Sequence, residues 1–222
     1  MPGTNFLAFV QDERIRVYGF DLSSEEIKKT KAFQSGDSED VVILGNSAYI
    51  LAAGANPAVY KLTDYTDRNA PIGRYALELN EDYEPEGLCH DANGGRLLIA
   101  CKGSPESGDR KRQVFSFDLR TQTPNTDSPV FTINIDALGI GSDTFNPSGI
   151  AIHPGTNDIY LIGTKDAKML VCCGWDGTVK SRTKLDKNRY EQPEGVAFSE
   201  SGELFLCSEG KKKKARIFRF SS

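Results

Sequence analysis

Apolar residues along this chain gather in short runs of about five, each closed by a cluster of Gly, Asn, Asp, Ser or Pro. Runs of that length between turn signals read as strands, because a helix shows a longer stripe with a 3.6-residue period. The 21 glycines and 10 prolines interrupt any such stripe. The runs also repeat. Four openers share one pattern: Ser38-Glu39-Asp40-Val41-Val42-Ile43, Pro85-Glu86-Gly87-Leu88-Cys89-His90, Pro147-Ser148-Gly149-Ile150-Ala151-Ile152 and Pro193-Glu194-Gly195-Val196-Ala197-Phe198. Each leads through a polar turn, such as Asp91-Ala92-Asn93-Gly94-Gly95, into a second apolar run. Those runs are Ala48–Ala53, Arg96–Cys101, Asp158–Gly163 and Glu203–Cys207. A third run follows at Val59–Leu62, Val114–Phe117, Met169–Cys173 and Ile217–Phe220. More polar fourth strands are expected at Arg74–Leu79, Val130–Ile135 and Val179–Leu185, where charge on an outer edge discourages edge-to-edge pairing.

The openers lie 47, 62 and 46 residues apart, close to the roughly 40–50 residues of a four-stranded propeller blade. Ser104–Arg112 and Asp136–Phe145 read as insertions that lengthen the middle interval. The first residues fit the same template without its opening strand. Phe6–Val10 matches a second strand, Ile15–Leu22 a third and Ile27–Phe33 a fourth, and Phe20-Asp21-Leu22 recurs as Phe117-Asp118-Leu119. The chain is therefore expected to be all-β, a five-bladed β-propeller with an incomplete first blade. One domain over residues 1–222 is expected, with blades at about 1–36, 37–83, 84–145, 146–191 and 192–222. The missing first strand and a last blade that stops after its third strand fall at the same join, which a trimmed N-terminus would explain.

Composition narrows the class. Hydrophobic residues make up 38% and charged residues 26%, and the net charge is -4, so the basic excess of a nucleic-acid footprint is missing. No apolar run approaches the roughly 18 residues of a membrane-spanning helix. The first ten residues lack the basic and apolar regions of a secretory signal. The five cysteines, Cys89, Cys101, Cys172, Cys173 and Cys207, lie inside apolar runs and form no CxxC pair. They read as buried thiols, which suggests a reducing compartment such as the cytoplasm.

The last opener, with Gly202–Gly210 and Ile217-Phe218-Arg219-Phe220, resembles the SdiA-regulated, YjiK-like family of bacterial propellers. Pro85-Glu86-Gly87-Leu88 with Arg96–Gly103 looks like that family's central blade. The resemblance runs from about Ser38 to Phe220. It implies a five-bladed propeller, often exported, and it implies Ca²⁺ as a cofactor.

Equivalent residues on innermost strands form a ring around a propeller's channel, and here those positions are Glu39, Glu86, Ser148 and Glu194. Three carboxylates converging on one axis repel unless protonated or bound to a cation. Hard oxygen donors suit Ca²⁺ or Mg²⁺, with Glu39, Glu86 and Glu194 as ligands. Equally, each Glu can accept backbone N–H bonds at a water-filled channel mouth. Lys102, Lys165 and Glu209, with Asp12 in the first blade, mark a second ring suited to an anionic or sugar-like ligand or to salt bridges between blades. His90 and His153 read as turn residues, and Lys211–Lys214 as a solvated hairpin tip. Hydrolase and nucleotide motifs are missing from the sequence. The expected function is noncatalytic binding of a small ligand, a divalent cation or a protein partner at the channel face, by a monomer. The alternative is a calcium-dependent hydrolase of the lactonase or phosphoesterase type. Against it, Ser148 and Glu39 stand where gluconolactonase-like propellers need Asn and Asp ligands. A third possibility is a purely structural interaction module.

Overall fold

The computed structural model describes residues 5–30, 33–67, 69–106, 108–210 and 214–221. Five small antiparallel sheets form a five-bladed propeller, and no α-helix occurs among the described residues. The first sheet holds β1 (Phe6–Gln11), β2 (Arg14–Asp21), β3 (Ile27–Lys29) and β4 (Gln34–Ser35), the last two both pairing with β2. The second runs in order β5 (Ser38–Leu44), β6 (Ser47–Ala52), β7 (Ala58–Leu62) and β8 (Ile72–Ala76). The third runs β9 (Pro85–Asp91), β10 (Arg96–Cys101) and β11 (Lys111–Asp118), with β12 (Thr123–Asn125) and β13 (Phe131–Asn134) sharing the outer edge of β11. The fourth is β14 (Phe145–Ile152), β15 (Ile159–Lys165), β16 (Met169–Cys173) and β17 (Val179–Lys184). The fifth has three strands, β18 (Gln192–Phe198), β19 (Leu204–Glu209) and β20 (Arg216–Phe220). β1 meets β5 as the other second strands meet the inner strand of the next sheet, so among the described residues the first blade has no inner strand.

Aspartates end or closely follow the third strands of the first four sheets, and those of β2 and β11 explain the repeated Phe-Asp-Leu. Asp21 accepts from the Ser23 and Ser24 amides, Asp118 from Arg120 and Thr121, Asp64 from Thr66, and Asp176 from Thr178. A short carboxylate that caps its own turn ends the strand without leaving amides unpaired. The expected outer strand at 27–33 is instead split into β3 and β4. Around the split, Thr30 returns to β2, its amide donating to the Val17 carbonyl and its hydroxyl accepting from the Val17 amide. The insertion at 136–145 contains a 3-10 turn, Ile135–Leu138, ended by Gly139 in the left-handed region at φ 59°. Most of the basic run, Lys211 to Lys213, lies outside the described residues.

Apolar side chains fill the wedge between consecutive sheets. Ile15, Val17, Ile50 and Leu62 join the first sheet to the second; Leu51, Leu97, Phe115 and Phe117 join the second to the third. Leu98, Ile133, Leu161 and Met169 join the third to the fourth, and Ile162, Tyr190 and Leu206 join the fourth to the fifth. This is sheet-on-sheet burial repeated around an axis, and it supplies most of the stability. The five cysteines are free thiols. Burial raises Cys89 and Cys101 above their ordinary range and pushes Cys173 and Cys207 up to about 12.

Two outcomes are expected. Phe117 is fully buried and meets Tyr75 edge-on at 5.4 Å across the wedge. Phe117→Ala should cost about 3–5 kcal/mol in urea unfolding; a change within about 0.5 kcal/mol would place that ring outside the core. Iodoacetamide should spare the thiols of the native protein and label five sites after unfolding without reductant. Three labels would reveal a disulfide.

Candidate functional site

The openers do more than begin each inner strand. In all four, the pairing of inner to second strand skips the second residue. Ser38 pairs with Ala52 and Asp40 with Leu51, leaving Glu39 unpaired between them. Glu86 is skipped between Pro85 and Gly87, Ser148 between Pro147 and Gly149, and Glu194 between Pro193 and Gly195. Each is a β-bulge, which frees one residue from the alternating pleat and re-aims its side chain. The sequence-predicted ring is thus a set of register equivalents. Glu86 and Ser148 are buried, and Glu39 and Glu194 are half-buried.

The carboxyl groups share one electrostatic field. Glu39 and Glu86 act on each other's ionisation, and Lys102 forms an ion pair with Glu86 while lying 3.7 Å from Glu84. Burial, then the charges of Glu86 and Asp37, push Glu39 up to about 9. Burial also raises Glu86, opposed by Lys102. Glu194 is pushed up to about 7, first by burial and then by Glu86, Glu209 and Asp12, against the hydrogen bond from Gln192. Burial alone would lower Lys102, but Glu86, Glu84 and Glu39 outweigh it and raise the ammonium. Among the described residues, no three His, Cys, Asp or Glu side chains are already drawn together as a metal cage. The arrangement is two interacting glutamates, a lysine paired with one of them, and a third carboxyl group acting through space.

Ser148 plays a different part from the glutamates. Its hydroxyl donates to the Pro193 carbonyl at 2.7 Å and so ties the fourth sheet to the fifth. Ser38 does the same toward the Arg14 carbonyl of the first sheet at 3.1 Å. In the second ring, strand pairing sets Lys102, Thr164 and Glu209 level, one step beyond Cys101, Gly163 and Ser208. Lys165 was expected there but falls one residue past it, exposed and at φ 81°. The reason is that β14 starts two residues before its Pro147 and carries the pairing out to Phe145 and Lys165. Asp12, just after β1, raises both Glu39 and Glu194 and so belongs to the channel set. His153 caps its turn, its Nδ1 accepting from the Gly155 and Thr156 amides at 3.1 Å, and its ring packs on Phe198. His90 is half-buried, and burial lowers it.

Asp40 is the residue that sequence reasoning passed over. It occupies the place of Gly87, Gly149 and Gly195 in the other openers. A Cβ at Gly87 would lie 3.0 Å from the Ile150 amide nitrogen, and one at Gly149 would lie 2.7 Å from the Glu194 carbonyl oxygen. Adjacent inner strands touch there, so only glycine fits. At Asp40 the gap is wider and the carboxylate fills it. Oδ2 accepts from the Leu88 amide, the equivalent of Ile150, and Oδ1 from the Val41 amide, both at 2.7 Å. Burial pushes Asp40 up to about 7 although both hydrogen bonds oppose it. The only sequence signal was its departure from the glycine pattern.

Fold and site together define a five-bladed propeller whose channel is edged by carboxyl groups carried on bulges. A family model described as SdiA-regulated matches residues 1–212, and the chain belongs to the SdiA-regulated family. No curated protein matches it. Among solved structures, an exo-β-1,3-galactanase from Phanerochaete chrysosporium superposes with a TM-score of 0.65 at 8% identity, over 99% of this chain and 58% of that one. A gluconolactonase from Xanthomonas campestris superposes with a TM-score of 0.56 at 14% identity, over 96% of this chain and 68% of that one. The hydrazine synthase of Kuenenia stuttgartiensis gives 0.54 at 18% identity, over 91% and 58%. At these identities the likeness is one of fold.

The raised carboxyl groups set a pH dependence. A carboxyl group with a higher pKa folded than unfolded holds its proton better in the native state, so stability is greatest at low pH and falls as pH rises. The windows run from the ordinary values, 4.5 for Glu and 3.8 for Asp, up to about 9 for Glu39 and about 7 for Asp40 and Glu194. The melting temperature should therefore fall from pH 5 to pH 9. Glu39→Gln should flatten the upper part of that fall and Asp40→Asn the lower part. A melting temperature that rises across this range would contradict the assignment.

Proposed function

We propose that the channel face is a noncatalytic binding site for a small cationic ligand, with a divalent cation, Ca²⁺ foremost, held by Glu39, Glu86 and Glu194. The observation that carries this is three partly desolvated glutamates on equivalent bulges, with Asp12 and Glu209 beside them and one lysine to balance them. Carboxylate oxygens are the donors that Ca²⁺ prefers. A dication would replace the proton that Glu39 retains and relieve the repulsion that raises Glu39 and Glu194.

A second reading is a calcium-dependent hydrolase of the lactonase or phosphoesterase type. What favours it is that a gluconolactonase has this fold, and a shared fold is an analogy and not a site.

Titration calorimetry of metal-free protein with Ca²⁺ tests the first reading. Binding should release protons, so affinity should rise between pH 6 and pH 8.5, as Glu39 and Glu194 lose theirs. At a hundredfold excess over the dissociation constant, Ca²⁺ should stabilise the fold by about 2.7 kcal/mol. The double variant Glu86→Gln/Glu194→Gln should lose that gain. Absence of heat, with an unchanged melting temperature at pH 8.5, would sink the proposal. Turnover of a lactone or phosphoester only in the presence of Ca²⁺ would favour the hydrolase.

A further inference from the structure

Away from the channel, the 136–145 insertion builds something of its own. It forms one wall of a cleft of about 230 Å³, whose other side is the turn between β15 and β16 and the end of β17. The wall is fastened by two arginines, one just before β11 and one in β17. Arg110 donates to the Gly141 carbonyl at 2.7 Å and to the Asp143 carbonyl, and pairs with the Asp136 carboxylate. Arg182 donates to the Ala137 carbonyl at 3.1 Å. Between the walls, the Thr144 amide donates to Asp166 and the Ala167 amide to the Thr144 carbonyl, both at 3.1 Å. The insertion is thus fastened both to the arginines behind it and to the turn it faces.

Its lining is divided. Ile140, Ala167, Met169 and Leu185 make an apolar floor, with Met169 and Ala167 buried and the other two partly so. Lys184 and Lys187 stand exposed at the rim and have no ion-pair partner among the described residues. Lys168 is already used, its ammonium donating to the Tyr190 and Glu191 carbonyls. On the acidic side, Asp166 is held by the Thr144 amide and Asp143 is exposed. Three ammonium groups, Lys168, Lys184 and Lys187, against two carboxylates, Asp143 and Asp166, leave the lining with a net positive charge of one. Apolar floor and cationic rim together select a molecule with a short tail and an anionic head. At about 30 Å³ per water molecule, the volume displaces roughly seven or eight waters, room for about eight non-hydrogen atoms.

We propose that the cleft between the 136–145 insertion and the β15–β16 turn is a second binding site, separate from the channel, for a small aliphatic monoanion such as a short-chain carboxylate. Lys184 and Lys187 take the head and Met169, Ile140 and Leu185 take the tail. Hexanoate is the probe, with hexylamine as its charge-reversed counterpart, followed by amide chemical shifts in isotope-labelled protein. Hexanoate should titrate saturably and shift amides of residues 139–143, 166–169 and 184–187. Hexylamine should bind at least tenfold more weakly. Lys184→Glu/Lys187→Glu, two exposed changes, should keep the wild-type melting temperature and lose at least tenfold in hexanoate affinity. Raising the salt concentration should weaken hexanoate binding further. Equal binding of the two probes, shifts located elsewhere, unaltered affinity in the double variant, or no saturable binding would each overturn the proposal.

Discussion

The architecture turns on how closely the inner strands of neighbouring sheets approach each other at the axis. At Gly87 and Gly149 the next strand's backbone occupies the space where a side chain would begin. That contact fixes the third residue of these two openers as glycine, while the bulge just before it occurs in all four, ahead of Asp40 as well. Each bulge turns one residue out of the pleat. Packing between sheets and chemistry at the centre therefore meet within three consecutive residues of each inner strand.

Much of this was legible in the sequence. The openers recur with their apolar partners, so blade count, strand order and the incomplete first blade follow from spacing and turn residues. The equivalence of Glu39, Glu86, Ser148 and Glu194 was visible for the same reason. What sequence alone could not supply was pairing register and distant partners. Lys165 looked level with Lys102 because both are charged and follow an apolar run; the longer β14–β15 ladder moves it one residue out. Ser148 looked like a channel group, yet its partner is the Pro193 carbonyl, 45 residues on. Asp40 was passed over, since its donor, the Leu88 amide, is 48 residues away. The 136–145 segment read as a spacer because the arginines that anchor it belong to β17 and the segment before β11.

The centre of the molecule is held against an electrostatic cost. Glu39, Asp40 and Glu194 are each more easily ionised in an unfolded chain than in the native one. Apolar burial in the four wedges between sheets offsets that cost, while Lys102 pairs with Glu86 and Glu84 and only partly counters the rise at Glu39. Natural folds depart from local consistency chiefly where a site demands it. The departures here concentrate at the bulges, while the wedges are chiefly apolar, with buried Arg112 bonded across from the third sheet to the fourth.

Asp40 also has a consequence for assembly. A chain of similar blades can mis-order, since each apolar face resembles the next and a neighbour one unit along offers comparable burial. Only the second sheet presents a carboxylate at the contact, and the glycines of the later openers leave no room for one. A mismatched docking of another opener against the third sheet would set a glycine in Asp40's place and take the carboxylate acceptor from the Leu88 amide, and a buried donor left unanswered is penalised. The Asp40–Leu88 bond thus acts as a key that fits one lock, giving an otherwise repetitive array a defined starting point.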